Sequence, residues 1–163
     1  MTISLRPVTI HNRGGLEDID AGDPARYWVH SPWYWHQWSL DNPHATFRLI
    51  HSSDAETAVG MVAYGPLYED EALTKAVPGT YELIHIVVDH RAQGKGIGRI
   101  VTESVLAALR ALPDCERIFI AHHPDNHTSR LFFTKLGFAP SSQINYDGDP
   151  MRVLEVEPIK SRP

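Results

Sequence analysis

Three glycines at alternate positions, Gly94, Gly96 and Gly98, form the part of this chain best suited to bind a charged ligand. Glycine has no Cβ atom, so the backbone at these positions is free to approach a ligand closely. The amphipathic segment that begins at Ile97 predicts a helix, whose first N–H groups are unpaired and carry the positive end of the helix dipole. A glycine-rich loop that opens a helix is typical of an anion site, most often one for phosphate.

The strand before this loop and the helix after it must position the glycines. The segment Tyr81–Val88 carries apolar residues on both of its faces, which predicts a central strand covered on both sides. After the loop, apolar residues at helical spacing predict a helix from Ile97 that stops at Pro113. The loop is therefore expected at the junction of a buried strand and a long amphipathic helix.

The rest of the chain predicts a mixed α/β layer with helices packed on a central sheet. Without repeats, low-complexity segments or an evident linker, the 163 residues (1–163) are expected to form a single domain. The polar run Tyr146–Asp149, with Asp147-Gly148, signals a hairpin turn, and Gly65–Gly79, with two prolines, is predicted to be an irregular loop. Further strands are predicted at Ile3–Thr9, Ala45–His51, Ala58–Tyr64, Arg117–Ala121, Phe138–Ile144 and Met151–Val156. Helical segments are predicted at Thr128–Leu136, weakly at Asn12–Gly22, and within Ala25–Leu40, which Pro32 divides into two short helices or a helix and a loop.

Composition excludes several classes of function. The formal net charge of -5 argues against nucleic acid as the main partner. A single cysteine, Cys115, permits no intramolecular disulfide and no cysteine metal cluster, which favours a reducing, cytoplasmic setting. We expect no signal peptide and no membrane span, because no apolar run is long enough. The residues His122, His123, Asp125 and His127 lack the spacing of a zinc site, so no metal is predicted.

Two common classes of phosphate-binding glycine loop do not fit this one. A Walker-type loop needs the string G-x-x-x-x-G-K-[ST], which the chain lacks. A dinucleotide fingerprint starting at Gly94 would need a glycine where Arg99 stands, and its acidic residue should end the next strand, whereas Glu116 precedes it. The pattern [RQ]-x-x-G-x-[GA] does fit, through Gln93, Gly96 and Gly98.

At this loop the chain resembles the GNAT superfamily of acyl-CoA-dependent N-acyltransferases. The segment from Tyr81 to Phe138 follows the order of elements in that family, and Asn126–Phe138, NHTSRLFFTKLGF, resembles its N-x-x-A-x-x-L-Y-x-K-x-G-F segment. The N-terminal half matches only in the order of its elements. The resemblance implies a GNAT fold: a mixed, mostly antiparallel sheet of about six to seven strands, with helices on both faces and a V-shaped splay between the central strands.

The resemblance implies acetyl-CoA as the co-substrate. Its pyrophosphate would lie on the backbone N–H groups of Gln93–Gly98, beside Arg91 and Arg99, which are otherwise a solvated surface pair. Its pantetheine arm would pair with the backbone of the central strand, and Asn126 would either hold that arm or cap the following helix. The residues predicted to bind acetyl-CoA are Ile86, Val87, Val88, Arg91, Gln93, Gly94, Lys95, Gly96, Ile97, Gly98, Arg99, Asn126, Ser129, Phe133 and Lys135.

Acetyl transfer to an amine needs a base, because an alkyl ammonium is mostly protonated at neutral pH. Glu82 falls where histone-acetylating members of the family carry their glutamate base, and partial burial would raise its pKa; the alternative is a solvated glutamate. His85, on the same strand, is the rival base, and otherwise an ordinary structural histidine. Phe133 stands where the family often has a tyrosine acid, so Tyr146 is predicted to replace it if its loop folds over the site. The resemblance implies direct attack in a ternary complex.

The acceptor is expected to be a primary amine. The resemblance places the tryptophan-rich segment Tyr27–Trp38 beside the acceptor, where it would cage an ammonium by cation–π contact or simply cover the sheet. Acidic residues at Glu69, Asp70 and Glu71 and a C-terminal hairpin like that of some spermine/spermidine acetyltransferases favour a small polyamine-like acceptor.

Two other functions stay open at this point. The acceptor is alternatively a peptide, in a protein N-terminal or lysine acetyltransferase. Alternatively, because Phe133 cannot donate a proton, the chain is a catalytically degenerate sensor that binds acyl-CoA. Neither reading involves nucleic acid or a membrane, and a homodimer is common in the superfamily.

Overall fold

The structure, a computed structural model, describes residues 1–159 of the chain. These residues form seven strands, three α-helices and three short 3₁₀ helices. The strands are β1 (Ile3–Arg6), β2 (Thr46–Ser52), β3 (Gly60–Tyr68), β4 (Ala76–Val88), β5 (Arg117–Ala121), β6 (Ala139–Ile144) and β7 (Pro150–Glu155). The helices are α1 (Pro32–Asp41), α2 (Ile97–Arg110) and α3 (His127–Lys135), and the 3₁₀ helices are Arg13–Leu16, Ala25–Tyr27 and His90–Ala92.

The strands belong to one sheet in the order β1-β2-β3-β4-β5-β7-β6. Strands β4 and β5 pair in parallel, whereas the pairs β1–β2, β2–β3, β5–β7 and β6–β7 are antiparallel. The parallel register runs from Thr80 to Leu83 of β4, which itself continues to Val88. The predicted fold class, a mixed and mostly antiparallel sheet with helices, is confirmed.

The chain divides into two compact units. The first unit comprises Met1–Tyr64 and His85–Leu106, and the second comprises Gly65–Ile84 and the chain from Ala107 onward. The expectation of a single domain stays a prediction. No helix within residues 1–159 is both long and apolar enough to cross a membrane.

The core of the first unit is built by β2, the start of β3 and the inner face of α2. The α2 residues Ile97, Val101 and Val105 are almost fully buried, as the period of the apolar positions requires.

Helix α1 begins where Ser31 Oγ accepts a hydrogen bond from the Tyr34 N–H (3.2 Å), with Pro32 in the first turn, where its missing N–H costs nothing. Of the two arrangements predicted for Ala25–Leu40, the structure has two short helices, the 3₁₀ helix Ala25–Tyr27 and α1.

The core of the second unit includes residues of β5 and of α3. Ile118, Phe119 and Ile120 of β5 are buried, as are Phe133 of α3 and Phe138 just beyond it. Helix α3 ends before Gly137, which has a φ of +97° and so takes the left-handed conformation that glycine adopts readily at helix ends.

Two predictions about the central region are wrong. The loop predicted over Gly65–Gly79 is restricted to residues 69–75, because β3 runs to Tyr68 and β4 begins at Ala76. Pairing within the sheet outweighs the local preference of proline and glycine for turns. Gly79, at a φ of +65°, is required there, because an added Cβ would lie 3.0 Å from the carbonyl oxygen of Asp114.

The second error concerns the burial of β4. Leu83 and Val87, on one face of the strand, are buried, but Ile84, Ile86 and Val88 on the other face are only half-buried. Runs of apolar residues predict a strand but do not show which of its faces is fully covered.

Several other elements also differ in their bounds from the sequence prediction. Strand β1 stops at Arg6, α2 stops at Arg110, and the weak helix over Asn12–Gly22 is only the 3₁₀ turn Arg13–Leu16. Helix ends and short glycine-containing segments carry little local signal, so these are expected places for error.

Candidate active site

The glycine loop joins β4 to α2 within the first unit. Gly94 and Gly96 have φ values of +79° and +78°, and a Cβ atom added at either would meet no atom within 4 Å. The first hydrogen bond of the helix runs from the Ile100 N–H to the Gly96 oxygen (3.1 Å). The N–H groups of Ile97, Gly98 and Arg99 therefore have no acceptor inside the helix. These N–H groups and the open space beside the two glycines are the features that the predicted anion site requires.

Asp89, directly after β4, holds the start of this loop. Its side chain is only 4% exposed. It accepts hydrogen bonds from the backbone N–H groups of Asp20 and Arg91 (both 2.9 Å) and from Nε and Nη2 of Arg91 (2.7 and 3.0 Å). Burial alone would raise the pKa of Asp89, but these donors outweigh it and bring the pKa to about 2.

The other side chains of the loop that were predicted to bind acetyl-CoA have mixed surroundings. Gln93 Nε2 donates to the carbonyl oxygens of Ala21 (3.1 Å) and Val88 (2.9 Å). Arg99 forms an exposed ion pair with Glu103 (2.8 Å), and Lys95 is exposed. The structure thus places Gln93 against the backbone and leaves Lys95 on the surface of the loop.

Glu82 lies on β4 in the second unit. Its side chain is half-buried, and within residues 1–159 its carboxylate has no hydrogen bond or ion pair. Burial without a compensating donor raises its pKa to about 7. A carboxylate of this kind is suited to general-base chemistry near neutral pH, because it accepts a proton and releases it again in that range.

His85, the rival base, lies on β4 in the first unit. Its ring stacks on Trp35, with centroids 4.9 Å apart and planes at 22°. Burial, with a smaller contribution from His30, lowers the pKa of His85 to about 3. A histidine with so low a pKa is neutral at pH 7 and a weak base, so Glu82 is the better candidate.

Tyr146 lies in the turn between β6 and β7, in the second unit. Its hydroxyl donates a hydrogen bond to the carbonyl oxygen of Tyr68, at the end of β3 (2.9 Å). Burial raises the pKa of Tyr146, and the charges of Asp70, Glu82 and Glu71 add to the effect. The phenol proton is therefore directed at a backbone carbonyl and held more tightly than usual, which is a poor arrangement for a general acid.

The predicted residues of α3 have structural surroundings. Asn126 Oδ1 accepts a hydrogen bond from the Ser129 N–H (3.1 Å), so Asn126 is the N-cap of the helix, one of the two roles considered for it. Phe133 is 5% exposed and packs edge-on against Phe138, with centroids 5.6 Å apart. Lys135 is exposed in the last turn. The position where the family often has a tyrosine is thus part of the core.

The tryptophan-rich segment both covers the protein and reaches solvent. Trp35 contacts Trp38, with centroids 5.7 Å apart, as well as His85. Trp33 and Tyr34 on the same helix are 40% and 46% exposed. The stacking of Trp35 on His85 agrees with the segment covering the sheet, whereas a cage for an ammonium stays a prediction.

Sequence reasoning missed Asp89 and the segment Asp18–Gly22 that contacts it. The signal for Asp89 was local, because an aspartate two residues before Arg91 is well placed to accept its N–H in a turn. No signal pointed to Asp18–Gly22, about 70 positions away along the chain. Within residues 1–159, no group of three or more histidine, cysteine or acidic side chains is suited to hold a metal ion.

Three comparisons place these features among known proteins. The family described as "Acetyltransferase (GNAT) family" matches residues 16–138. The spermine/spermidine N(1)-acetyltransferase of Bacillus subtilis (strain 168) is 24% identical over 160 residues, which cover 96% of this chain and 100% of that protein.

Solved structures of other proteins share the fold. The crystal structure of a GNAT-family acetyltransferase from Desulfovibrio desulfuricans superposes with a TM-score of 0.71 at 19% identity, covering 96% of this chain and 100% of the other. The PaiA N-acetyltransferase of Thermoplasma acidophilum, solved in complex with coenzyme A, has a TM-score of 0.61 at 16% identity, covering 95% and 99%.

Proposed function

Because this chain belongs to the GNAT acetyltransferase family, we propose that it transfers the acetyl group of acetyl-CoA to a primary amine of a small, polyamine-like molecule. The observation that carries the reaction type is Glu82, a half-buried carboxylate whose pKa is raised to about 7. It lies on β4, the strand that leads through Asp89 into the glycine loop.

The glycine loop suits the co-substrate. Gly94 and Gly96 have the positive φ values that bring their backbone to face open space, and the first N–H groups of α2 are free to bind phosphate oxygens. The backbone N–H groups of Gly94–Gly98 are assigned to the pyrophosphate. When bound, acetyl-CoA supplies the acetyl group as a thioester.

Glu82 acts as the base in this proposal. It takes a proton from the acceptor ammonium, so that the neutral amine can attack directly, with no covalent intermediate on the enzyme. Backbone N–H groups of β4 near Ile86 and Val87 are assigned to the carbonyl oxygen that gains charge. The chain offers no side-chain acid at the predicted positions, since Phe133 cannot ionise and the Tyr146 hydroxyl donates to Tyr68. The departing thiolate of CoA is therefore assigned a proton from water.

Acidic side chains of the second unit support a cationic acceptor. Asp70, Glu71 and Glu82 lie close enough to Tyr146 for their charges to raise its pKa, in addition to the larger effect of burial. A polyamine carries several ammonium groups, and such surroundings favour it over a neutral or anionic amine. The likeness to a spermine/spermidine acetyltransferase supports the same substrate class.

A panel of acceptors tests the proposal. Spermidine, an aminoglycoside, free amino acids and a peptide with a free N-terminus are each offered with acetyl-CoA, and released CoA is measured by HPLC, which avoids a thiol dye in a protein that contains Cys115. We expect spermidine to have the highest kcat/KM. A clear preference for the peptide would move the proposal to protein acetylation.

A sensor is the second candidate function, because the buried Phe133 occupies the position where the family often has its acid. Acetyl-CoA binding, followed by calorimetry, separates the two. Binding without turnover of any acceptor would support the sensor, and absence of binding would contradict both functions.

A further inference from the structure

The segment Asp18–Gly22 is fastened to the start of the glycine loop, and both lie in the first unit. Gly22 has a φ of +77°, and a Cβ added to it would lie 2.7 Å from the Cβ of His90, so the two backbones pack without room for a side chain. Four hydrogen bonds join the two segments: His90 N–H to Asp20 O (2.8 Å), Asp20 N–H to Asp89 Oδ2 (2.9 Å), Arg91 Nη2 to Asp18 O (2.7 Å) and Gln93 Nε2 to Ala21 O (3.1 Å).

Arg91 is committed to this contact. Its Nε and Nη2 donate to the buried carboxylate of Asp89, and Nη2 also donates to the carbonyl oxygen of Asp18. The charge of Arg91 is thus balanced by a carboxylate at hydrogen-bond distance. Nε and Nη2 are used in these contacts, so of the five N–H donors of Arg91 only the two on Nη1 are left for a phosphate.

Gln93 makes the same kind of contact at the next step of the loop. Its amide nitrogen bridges the carbonyl oxygens of Ala21 and Val88, the last residue of β4. At Gln93, the residue before Gly94, the loop is therefore hydrogen-bonded both to the end of β4 and to the Asp18–Gly22 segment. The two glycines that follow would otherwise leave the backbone free to adopt many conformations.

We propose that Asp89, Arg91 and Gln93 are positioning residues, which fix the glycine loop against Asp18–Gly22 so that its N–H groups stay directed at the pyrophosphate, and that Arg91 does not itself bind that group. The proposal rests on the proposed function only in naming CoA as the ligand. It revises the expectation that Arg91 supplies charge to the phosphates. A backbone anion site depends on convergence of its donors, so its affinity depends on what holds the loop.

Two acetyl donors distinguish a role in positioning this loop from a role in the general stability of the protein. Acetyl-CoA carries the pyrophosphate, whereas S-acetylpantetheine has the same thioester and arm without it. The variants are Asp89→Asn, Arg91→Gln and the double variant, and the matched controls are Asp54→Asn and Arg13→Gln, exposed positions elsewhere in the first unit. The Kd for CoA is measured by calorimetry, kcat/KM is measured for both donors, and Tm is recorded for every protein.

We expect both single variants to raise the Kd for CoA by about tenfold or more, and the double variant to raise it no further, because each change breaks the same contact. The kcat/KM for acetyl-CoA should fall in parallel, while that for S-acetylpantetheine stays within about twofold of wild type. Both controls should match the wild type. If Asp89→Asn does not fold, Arg91→Gln and Gln93→Ala carry the test, because both side chains are exposed.

Three results would overturn the proposal. If Arg91→Gln weakens CoA binding but Asp89→Asn does not, Arg91 binds the pyrophosphate directly. If the variants lower kcat/KM for both donors equally, their role is general stability. If neither changes the Kd, the contact does not serve the loop. The proposed function fails separately, when wild-type protein binds CoA but acetylates nothing; the CoA affinities of the variants still decide the role of Arg91.

Discussion

Two carboxylates on or directly after β4 are both withdrawn from water, yet their pKa values move in opposite directions. Glu82 has no hydrogen-bond or ion-pair partner within residues 1–159, and burial raises its pKa to about 7. Asp89 is more deeply buried, but donors from Arg91 and from the backbone of Asp20 bring its pKa to about 2. Burial opposes charge in both, so the donors decide the outcome.

The difference separates a group suited to proton transfer from a group suited to structure. A carboxylate that titrates near pH 7 can take a proton from an ammonium and pass it to water in each cycle. A carboxylate that stays ionised throughout the physiological range cannot, but it forms strong charge-assisted hydrogen bonds. We infer that the two carboxylates have different roles. Glu82, within β4, is the base, and Asp89, directly after β4, anchors the glycine loop.

The largest expected effect is on catalysis by Glu82→Gln. This change keeps the size of the side chain and removes the base, so we expect kcat to fall by about 10²- to 10⁴-fold. In the wild type, kcat/KM should rise with pH through about 7 and then level off, since the base must be deprotonated. Steady-state kinetics from pH 5.5 to 9 measure both, and the Kd for CoA is the control, expected to stay unchanged. Full turnover by the variant across this range would remove Glu82 from the mechanism.

The next effect is on stability, through Asp89→Asn. The neutral amide cannot form an ion pair with Arg91, and its NH2 group replaces a carboxylate oxygen that accepted hydrogen bonds. We therefore expect the free energy of unfolding at pH 7 to fall by about 2–3 kcal/mol. The pKa of Asp89 is depressed, so this stability is present above its ordinary pKa and is lost as the pH falls towards 2. Urea denaturation at pH 7 and at pH 3 measures the difference, which should be smaller at pH 3. An equal loss at both pH values would mean that charge is not the cause.

Glu82→Gln should affect stability in the opposite direction. The ordinary pKa of 4.5 is raised to about 7 in the fold. Between these values the folded protein keeps a proton that the unfolded chain releases, so wild-type stability falls as the pH rises through this window. Glutamine carries no charge to bury, so the variant should be more stable than wild type by roughly 2 kcal/mol at pH 8 and equal to it at pH 4.5.

Urea denaturation at the two pH values is again the measurement. Glu56→Gln, at an exposed position, is the matched control and should show no such crossover. A Glu82→Gln variant that is no more stable than wild type at pH 8 would mean that Glu82 is better solvated than its surroundings suggest, and the comparison with Asp89 would lose its basis.

The same comparison shows how far the sequence reaches. Glu82 was assigned through the resemblance to the GNAT family, which follows one continuous stretch of strand, loop and helix and is therefore visible in the local sequence. The partners of Asp89 lie in Asp18–Gly22, and no local pattern links residues that the fold brings together from about 70 positions apart. What the sequence predicted here is therefore the strand and the helix that flank the loop, because both are encoded within a single local segment.

The errors elsewhere have a related cause. Pro78 and Gly79 indicated a loop by local preference, but the sheet accepts both within β4. The half-buried face at Ile84 and Ile86 was expected to be covered, because hydrophobicity alone predicts burial and not the position of neighbouring elements. Secondary structure follows local pattern, whereas burial and the hydrogen-bond partners of side chains depend on the assembled fold.

The smallest expected effect is that of Tyr146→Phe. The change removes one hydroxyl, which donates to Tyr68 O on a ring that is 55% exposed, so the free energy of unfolding should fall by about 1 kcal/mol or less. If Tyr146 only fixes the turn between β6 and β7 through its hydrogen bond to Tyr68, kcat should stay within about threefold of wild type. The KM for spermidine should rise, because the turn is then held less firmly beside the proposed acceptor site. A fall in kcat of about 10²-fold or more with KM unchanged would instead make Tyr146 the general acid, and Glu82 would no longer be the one proton-transferring side chain assigned here.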